Sequence, residues 1–297
     1  MYPAPRGTMI RPAVRLAVPL LALAAGLSAG ELPRASPAAA DDLRVSGLFQ
    51  STADGSVKYL PRSALLALPG VTHLHEKPAD SIAAADLTVL PIPRLLEAVP
   101  LAPGADGLVL VCSDRWETMM PLDLARTVHP YLMLEYAGRT PAQGWPRFSP
   151  VEGLAPYYSN WSPALGPRDA SGTPYGEFDA TQIVEIRAVN MRERYAPFYS
   201  GPLAHLSPEA SEGRKLFIKE CNMCHPGPQG VGGNTSQRPI AVLEVHATLN
   251  AAYFRRMVTN PKQFFPQTVM PTHEYFTPQM MSQLVAFLTE ARAAGVN

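Results

Sequence analysis

The pentapeptide Cys221-Asn222-Met223-Cys224-His225 decides how the C-terminal third of this chain is read. Two thiols three positions apart, on a backbone turning out of a helix, can reach the two vinyl groups of one porphyrin, and the histidine that follows lies under the ring, where it can ligate the iron. The motif therefore predicts one covalently attached haem c, held by Cys221 and Cys224 with His225 on its iron. Two other readings of C-x-x-C compete. A thioredoxin-type pair needs a preceding buried strand, whereas Glu209 to Glu220 is helix-like in composition; a zinc site needs a second ligand pair, and the only other cysteine is Cys112.

Working outward, Ser207-Pro208-Glu209 has the signature of a helix start: a serine N-cap, proline at the first helical position and an acid in the first turn. The helix should run to about Glu220. Gly213 and Phe217, four apart, share one of its faces, and Gly213 leaves room for another backbone to come close. After the motif, Pro226-Gly227-Pro228 and Gly230 to Gly233 predict a loop able to wrap a cofactor edge. Thr277-Pro278 starts a terminal helix whose Met281, Leu284, Val285 and Leu288 form one apolar stripe.

These features, over residues 207–294, resemble a class I-type cytochrome c domain, an all-α fold whose first helix carries a glycine and an aromatic residue ahead of the motif and crosses the last helix. The resemblance implies a sixth iron ligand at Met270, in Thr268-Val269-Met270-Pro271, 45 residues past His225. A thioether there suits an electron carrier because it favours the reduced iron. The other methionines fit less well: Met223 lies inside the attachment loop, Met257 in a predicted helix, and Met280 and Met281 in the terminal helix. The family also implies a proline carbonyl that accepts the proton of the axial histidine's far nitrogen, for which Pro239 is the candidate.

The chain has 297 residues, a formal net charge of zero, 46% hydrophobic residues and 32 prolines. That is length enough for two cores and too balanced a charge for a nucleic-acid binder. Residues 1–30 have the pattern of a signal peptide: Arg6, Arg11 and Arg15 without an acid, an apolar run from Leu16 to Leu27, then Ser28, Ala29 and Gly30. The run falls short of the roughly 18–20 residues that span a bilayer. Export to the periplasm is therefore expected, with membrane attachment only if the segment stays uncleaved. Residues 31–40, rich in alanine and proline, should be a flexible lead-in.

Residues 41–194 alternate strand and helix patterns. Leu87 to Leu90, Gly107 to Cys112, Tyr131 to Tyr136 and Gln182 to Val189 are strand-like; Leu65 to Leu68, the segment after Pro93 and Asp123 to Arg126 are helix-like. The order of pieces is similar to the molybdopterin-binding domain of the sulfite oxidase family. It matches at Ala67-Leu68-Pro69, Ile92-Pro93-Arg94-Leu95-Leu96, Val111-Cys112-Ser113-Asp114, Pro121-Leu122-Asp123-Leu124-Ala125 and Leu134-Glu135-Tyr136-Ala137-Gly138. That family's metal-binding cysteine precedes the Pro-x-Leu-Leu helix, and no cysteine lies between Gly70 and Leu90. The resemblance thus implies a degenerate domain without molybdopterin, a docking or scaffold module. Cys112 should be inert and buried. His73 and His75 would share a face if their segment is a strand, and Trp116, Trp145 and Trp161 could fill the core or form a docking patch.

The expectation is a multidomain protein: a mixed α/β sulfite oxidase-like domain (41–194), a linker (195–206) and an all-α cytochrome c domain (207–297). The implied function is that of a periplasmic mono-haem carrier of single electrons between redox proteins or within a respiratory complex, and not an enzyme. The alternative is a fused molybdopterin-type oxidoreductase passing substrate electrons to the haem. Residues 41–206 hold 13 basic and 18 acidic side chains and residues 207–297 hold 8 and 6, opposite net signs that favour the two parts lying together.

Overall fold

The computed structural model describes residues 32–79, 82–148, 153–166, 180–233 and 235–295. The expected signal peptide lies outside the described residues. Within the expected lead-in, Arg34 exchanges both backbone hydrogen bonds with Tyr59.

The first half of the chain is built from three antiparallel hairpins, each running through a proline into a short helix. Strands β1 (Leu43–Gly47) and β2 (Lys58–Leu60) lead to α1 (Arg62–Leu66); β3 (Thr72–Glu76) and β4 (Ala85–Pro91) lead to α2 (Ile92–Ala98); β5 (Gly107–Cys112) and β6 (Glu117–Pro121) lead to α3 (Leu122–Val128). Pro61, Pro91 and Pro121 are the three N-caps, with ψ of 137°, 134° and 137°. Proline has no ladder donor to lose at a strand end, and its fixed φ suits the turn into a helix. Strands β7 (Tyr131–Tyr136), β8 (Tyr158–Asn160) and β9 (Ile183–Val189) follow, then the single turn α4 (Met191–Arg194).

The strands form two sheets, in the orders β2-β1-β9-β5-β6 and β3-β4-β7-β8, antiparallel throughout except for the β1–β9 pair. Period-two alternation divides the side chains of β7 between two cores. Leu132 and Leu134 join Leu108 and Leu110 of β5 in the core shared by the sheets, while Tyr131 and Met133 pack on the other face with Trp145. Cys112 is buried in the shared core, and burial pushes its thiol up, as its apolar strand led us to expect. His75 pairs with Asp86 at 2.7 Å and His73 lies 3.4 Å from Thr88. Among the described residues no three His, Cys, Asp or Glu side chains converge as an ion site.

Helices α5 (Pro208–Glu220), α6 (Ile240–Leu249), α7 (Ala251–Thr259) and α8 (Pro278–Ala293) complete the chain. Ser207 caps α5 by accepting from Ala210 N–H, and its own N–H and hydroxyl donate to Glu290 of α8 at 3.0 and 2.5 Å. Where α5 crosses α8, a Cβ added at Gly213 would lie 1.8 Å from the Gln283 carbonyl oxygen. Phe217 packs on Phe287 with ring centroids 5.7 Å apart. No helix among the described residues is long and apolar enough to cross a membrane.

The expectation of an α/β domain followed by a separate all-α domain is corrected by this arrangement. Residues 32–297 cluster as one mixed α/β unit, with two sheets and eight α-helices among the described residues. The segment expected as a linker is part of the core: Tyr195, Phe198 and Leu203 are buried among Phe217, Leu284 and Phe287. Arg214 of α5 fastens it by donating to the Phe198 and Leu203 carbonyls at 3.1 and 2.7 Å. Met119 of β6 and Met191 of α4 pack on the same core, so the helices bury apolar surface that the strands supply. Periodicity within a segment carries no information about such a shared core.

Candidate haem-binding site

The Cys221–His225 motif begins where α5 ends. Cys221 is the C-cap, its N–H bonded to the Phe217 carbonyl, and the next turn is closed by Cys224 N–H and His225 N–H donating to the Cys221 carbonyl at 3.1 and 2.9 Å. Two residues three apart in such a turn stay on one side. Asn222, buried, holds the loop shut: its amide donates to the His225 carbonyl at 3.0 Å and the Val231 carbonyl at 2.8 Å. The glycine run is needed for close approach, since a Cβ at Gly233 would stand 1.7 Å from the Met223 carbonyl oxygen.

Cys221, Cys224, His225 and Met270 all line one cavity of about 500 Å³. Phe217, Leu243, Phe254, Val258, Leu284 and Leu288 give it apolar walls from α5, α6, α7 and α8. Its size lies within the range of small-molecule and cofactor sites, about 300–1,000 Å³. The residues present fit a c-type haem: paired thiols at one edge, an imidazole and a thioether on the lining, and hydrocarbon between them. No two cysteines are joined as a disulfide. Burial pushes both motif thiols up, Cys224 to about 11, where the Thr235 hydroxyl pulls the other way and the Asp114 charge adds to the rise.

His225 is oriented by a backbone carbonyl. Its Nδ1 lies 2.7 Å from the Arg238 carbonyl, which as a pure acceptor fixes the proton on Nδ1 and leaves the Nε2 lone pair for a metal. Burial holds the imidazole below its ordinary range, against the contrary effect of that hydrogen bond, so the neutral, ligating form is favoured. The expected acceptor was Pro239, and here the structure corrects the reading by one residue. Pro239 is the N-cap of α6 and its carbonyl accepts Val242 N–H at 2.9 Å, so the free carbonyl is that of Arg238, on the peptide bond into the proline.

Met270 is half-buried, packs against the helical core, and has its N–H bonded to the Thr268 hydroxyl at 3.2 Å. Among the cavity-lining residues not singled out from the sequence as site residues, three bear most on the chemistry. His273, 4% exposed, packs against the rings of Tyr275 and Phe276 with Nδ1 3.3 Å from the Val258 carbonyl, which makes it a second imidazole on the lining. Its place three residues beyond Met270 is the only signal that could have found it. Asp114 and Trp116 come from the β5–β6 turn, over a hundred residues away in sequence, and no local pattern links them to the motif. The tryptophans thus part company: Trp145 is buried under the second sheet, Trp161 packs on the shared core, and Trp116 reaches both that core and the cavity.

No protein-family model matches the chain, and no curated protein is significantly similar to it.

Proposed function

We propose that this protein is an exported mono-haem c-type electron carrier. The observation that supports the reading is the convergence of four residues singled out from sequence alone, Cys221, Cys224, His225 and Met270, on one apolar-walled cavity. A haem bound there supplies reversible one-electron exchange. Cys221 and Cys224 would hold it through thioethers, and His225 and Met270 would be the ligands of its iron. The Arg238 carbonyl would keep the His225 proton on Nδ1 throughout, and the walls of α5–α8 would exclude water.

Export to the periplasm is supported by the basic and apolar pattern of residues 1–30, and it agrees with the chemistry of the motif, which is loaded outside the cytoplasm. Redox proteins of that compartment or a respiratory complex would be the partners, with the sheet-bearing part as scaffold. Molybdopterin chemistry is not proposed. Gly70 to Leu90 contains no cysteine, and Cys112 is turned into the sheet core.

The experiment is a redox titration of protein produced in a host competent for cytochrome c maturation. A single reversible one-electron transition in the visible spectrum, absent from a Cys221→Ser/Cys224→Ser variant, is expected. A spectrum without a haem band would overturn the proposal.

A further inference from the structure

The cavity is not closed by the C-terminal helices alone. Asp114 and Trp116, in the turn joining β5 to β6, line it together with Cys224 and His225. This turn is fastened to the attachment loop. Trp116 Nε1 donates to the Thr118 hydroxyl at 2.8 Å, and that hydroxyl, fully buried, points on to the Met223 sulfur at 4.0 Å, in the middle of the pentapeptide. Trp116 also packs against the core between the sheets, so its ring is held from behind. The turn itself is tightly specified: Trp116 N–H donates to Asp114 Oδ1 at 2.9 Å, and Arg115 between them takes a φ of 75°. Asp114 is exposed and lines the same cavity as Cys224.

We propose that the β5–β6 turn is a wall of the cofactor cavity, in which Trp116 keeps water from the edge at Cys224 and Asp114 places a negative charge beside it. The sheet-bearing part would then set the potential at which the helical part exchanges its electron. This inference rests on the haem reading. Its direction follows from charge. The oxidised state carries one more positive charge than the reduced state, so a nearby carboxylate favours the oxidised state, and so does water. Removing the carboxylate raises the potential. Removing the indole admits water and lowers it.

The test is a redox titration of the full-length holoprotein and its variants. Asp114→Asn should shift the redox equilibrium at least about threefold toward the reduced form, about 30 mV for one electron, and Trp116→Ala by a similar factor the other way. Trp116→Phe, which keeps the bulk and loses the bond to Thr118, should lie between Trp116→Ala and wild type and covers the case in which the alanine variant fails to fold. Asp123→Asn, a carboxylate on α3 that does not line the cavity, should leave the potential unchanged. Haem-loaded variants whose potentials all equal that of wild type would overturn the wall while leaving the carrier reading intact. Equal shifts in Asp114→Asn and Asp123→Asn would also overturn it, because the effect would then be general charge. Wild-type protein without haem would overturn both readings together.

Discussion

Replacing Gly213 by alanine separates two opposed effects whose sizes can be compared. In an exposed helix interior the change stabilises by about 0.8–1 kcal/mol, because alanine restricts the unfolded chain and favours the helix. At Gly213 the new Cβ would stand 1.8 Å from the Gln283 carbonyl oxygen and 2.9 Å from Phe287 Cβ, where ordinary contact begins at 3.4 Å. The first contact is with backbone, so no rotamer change relieves it, and α5 and α8 must separate by about 1.6 Å. Such overpacking typically costs about 1–3 kcal/mol, and the displaced helix also carries Leu284 and Leu288, two walls of the cavity. A backbone contact this close belongs in the upper part of that range, about 2–3 kcal/mol, so against a gain of about 1 kcal/mol the net expectation is a loss of about 1–2 kcal/mol. Urea unfolding followed by far-ultraviolet circular dichroism reads it as a lower midpoint at unchanged slope. A variant as stable as wild type, or more so, would refute the close crossing of these helices.

Three further outcomes follow from named side chains. Met270→Ala should change the visible spectrum and potential of the loaded protein, while His273→Ala should leave the ligand-sensitive bands in place; the reverse pattern would assign the sixth position to His273. Glu244 of α6 is 1% exposed, and burial raises its carboxyl to about 7 despite the opposing charge of Arg292. A raised folded-state value means the group contributes stability below its unfolded value of 4.5 that is lost as pH rises through about 7, so Glu244→Gln should flatten the stability profile between these limits and gain about 1–3 kcal/mol at pH 8. Unchanged pH dependence of the urea midpoint would count against it. Arg62, 7% exposed, donates to the Leu134 carbonyl at 2.7 Å and to Asp41 at 3.1 Å and lies 4.0 Å from the Tyr157 ring centre; Arg62→Ala should cost about 3–5 kcal/mol, measured by urea unfolding, and a loss under 1 kcal/mol would contradict its role as a buried tie.

What the sequence disclosed was local. The Cys221–His225 motif, the Ser207 cap and the Met281–Leu288 stripe each depend on residues within one or two turns of one another, and each stands in the structure where its pattern puts it. The continuous apolar run of β5 and the strand from Tyr131 to Tyr136, β7, were likewise legible, to the residue. Strands β1, β2, β3 and β6 were not, because they are three to five residues long and take their stability from pairing, which no window of sequence contains. The separation into two domains failed for a related reason. Proline and glycine between Tyr195 and Leu206 have the composition of a connection, yet Phe198 and Leu203 are fully buried there and Pro197 and Pro202 sit in 3-10 turns. The Arg238 carbonyl was missed by one residue because hydrogen-bond direction, not residue type, selects it.

The central claim is that Cys221 and Cys224 carry a covalently bound haem. Intact-mass measurement of the denatured protein, produced in a host competent for cytochrome c maturation and compared with the same chain from a host that lacks it, tests this most directly. A mass increment of one haem that survives acid–acetone extraction and maps to the peptide containing both cysteines is expected. Identical masses from the two hosts, or a haem lost on extraction, would contradict it.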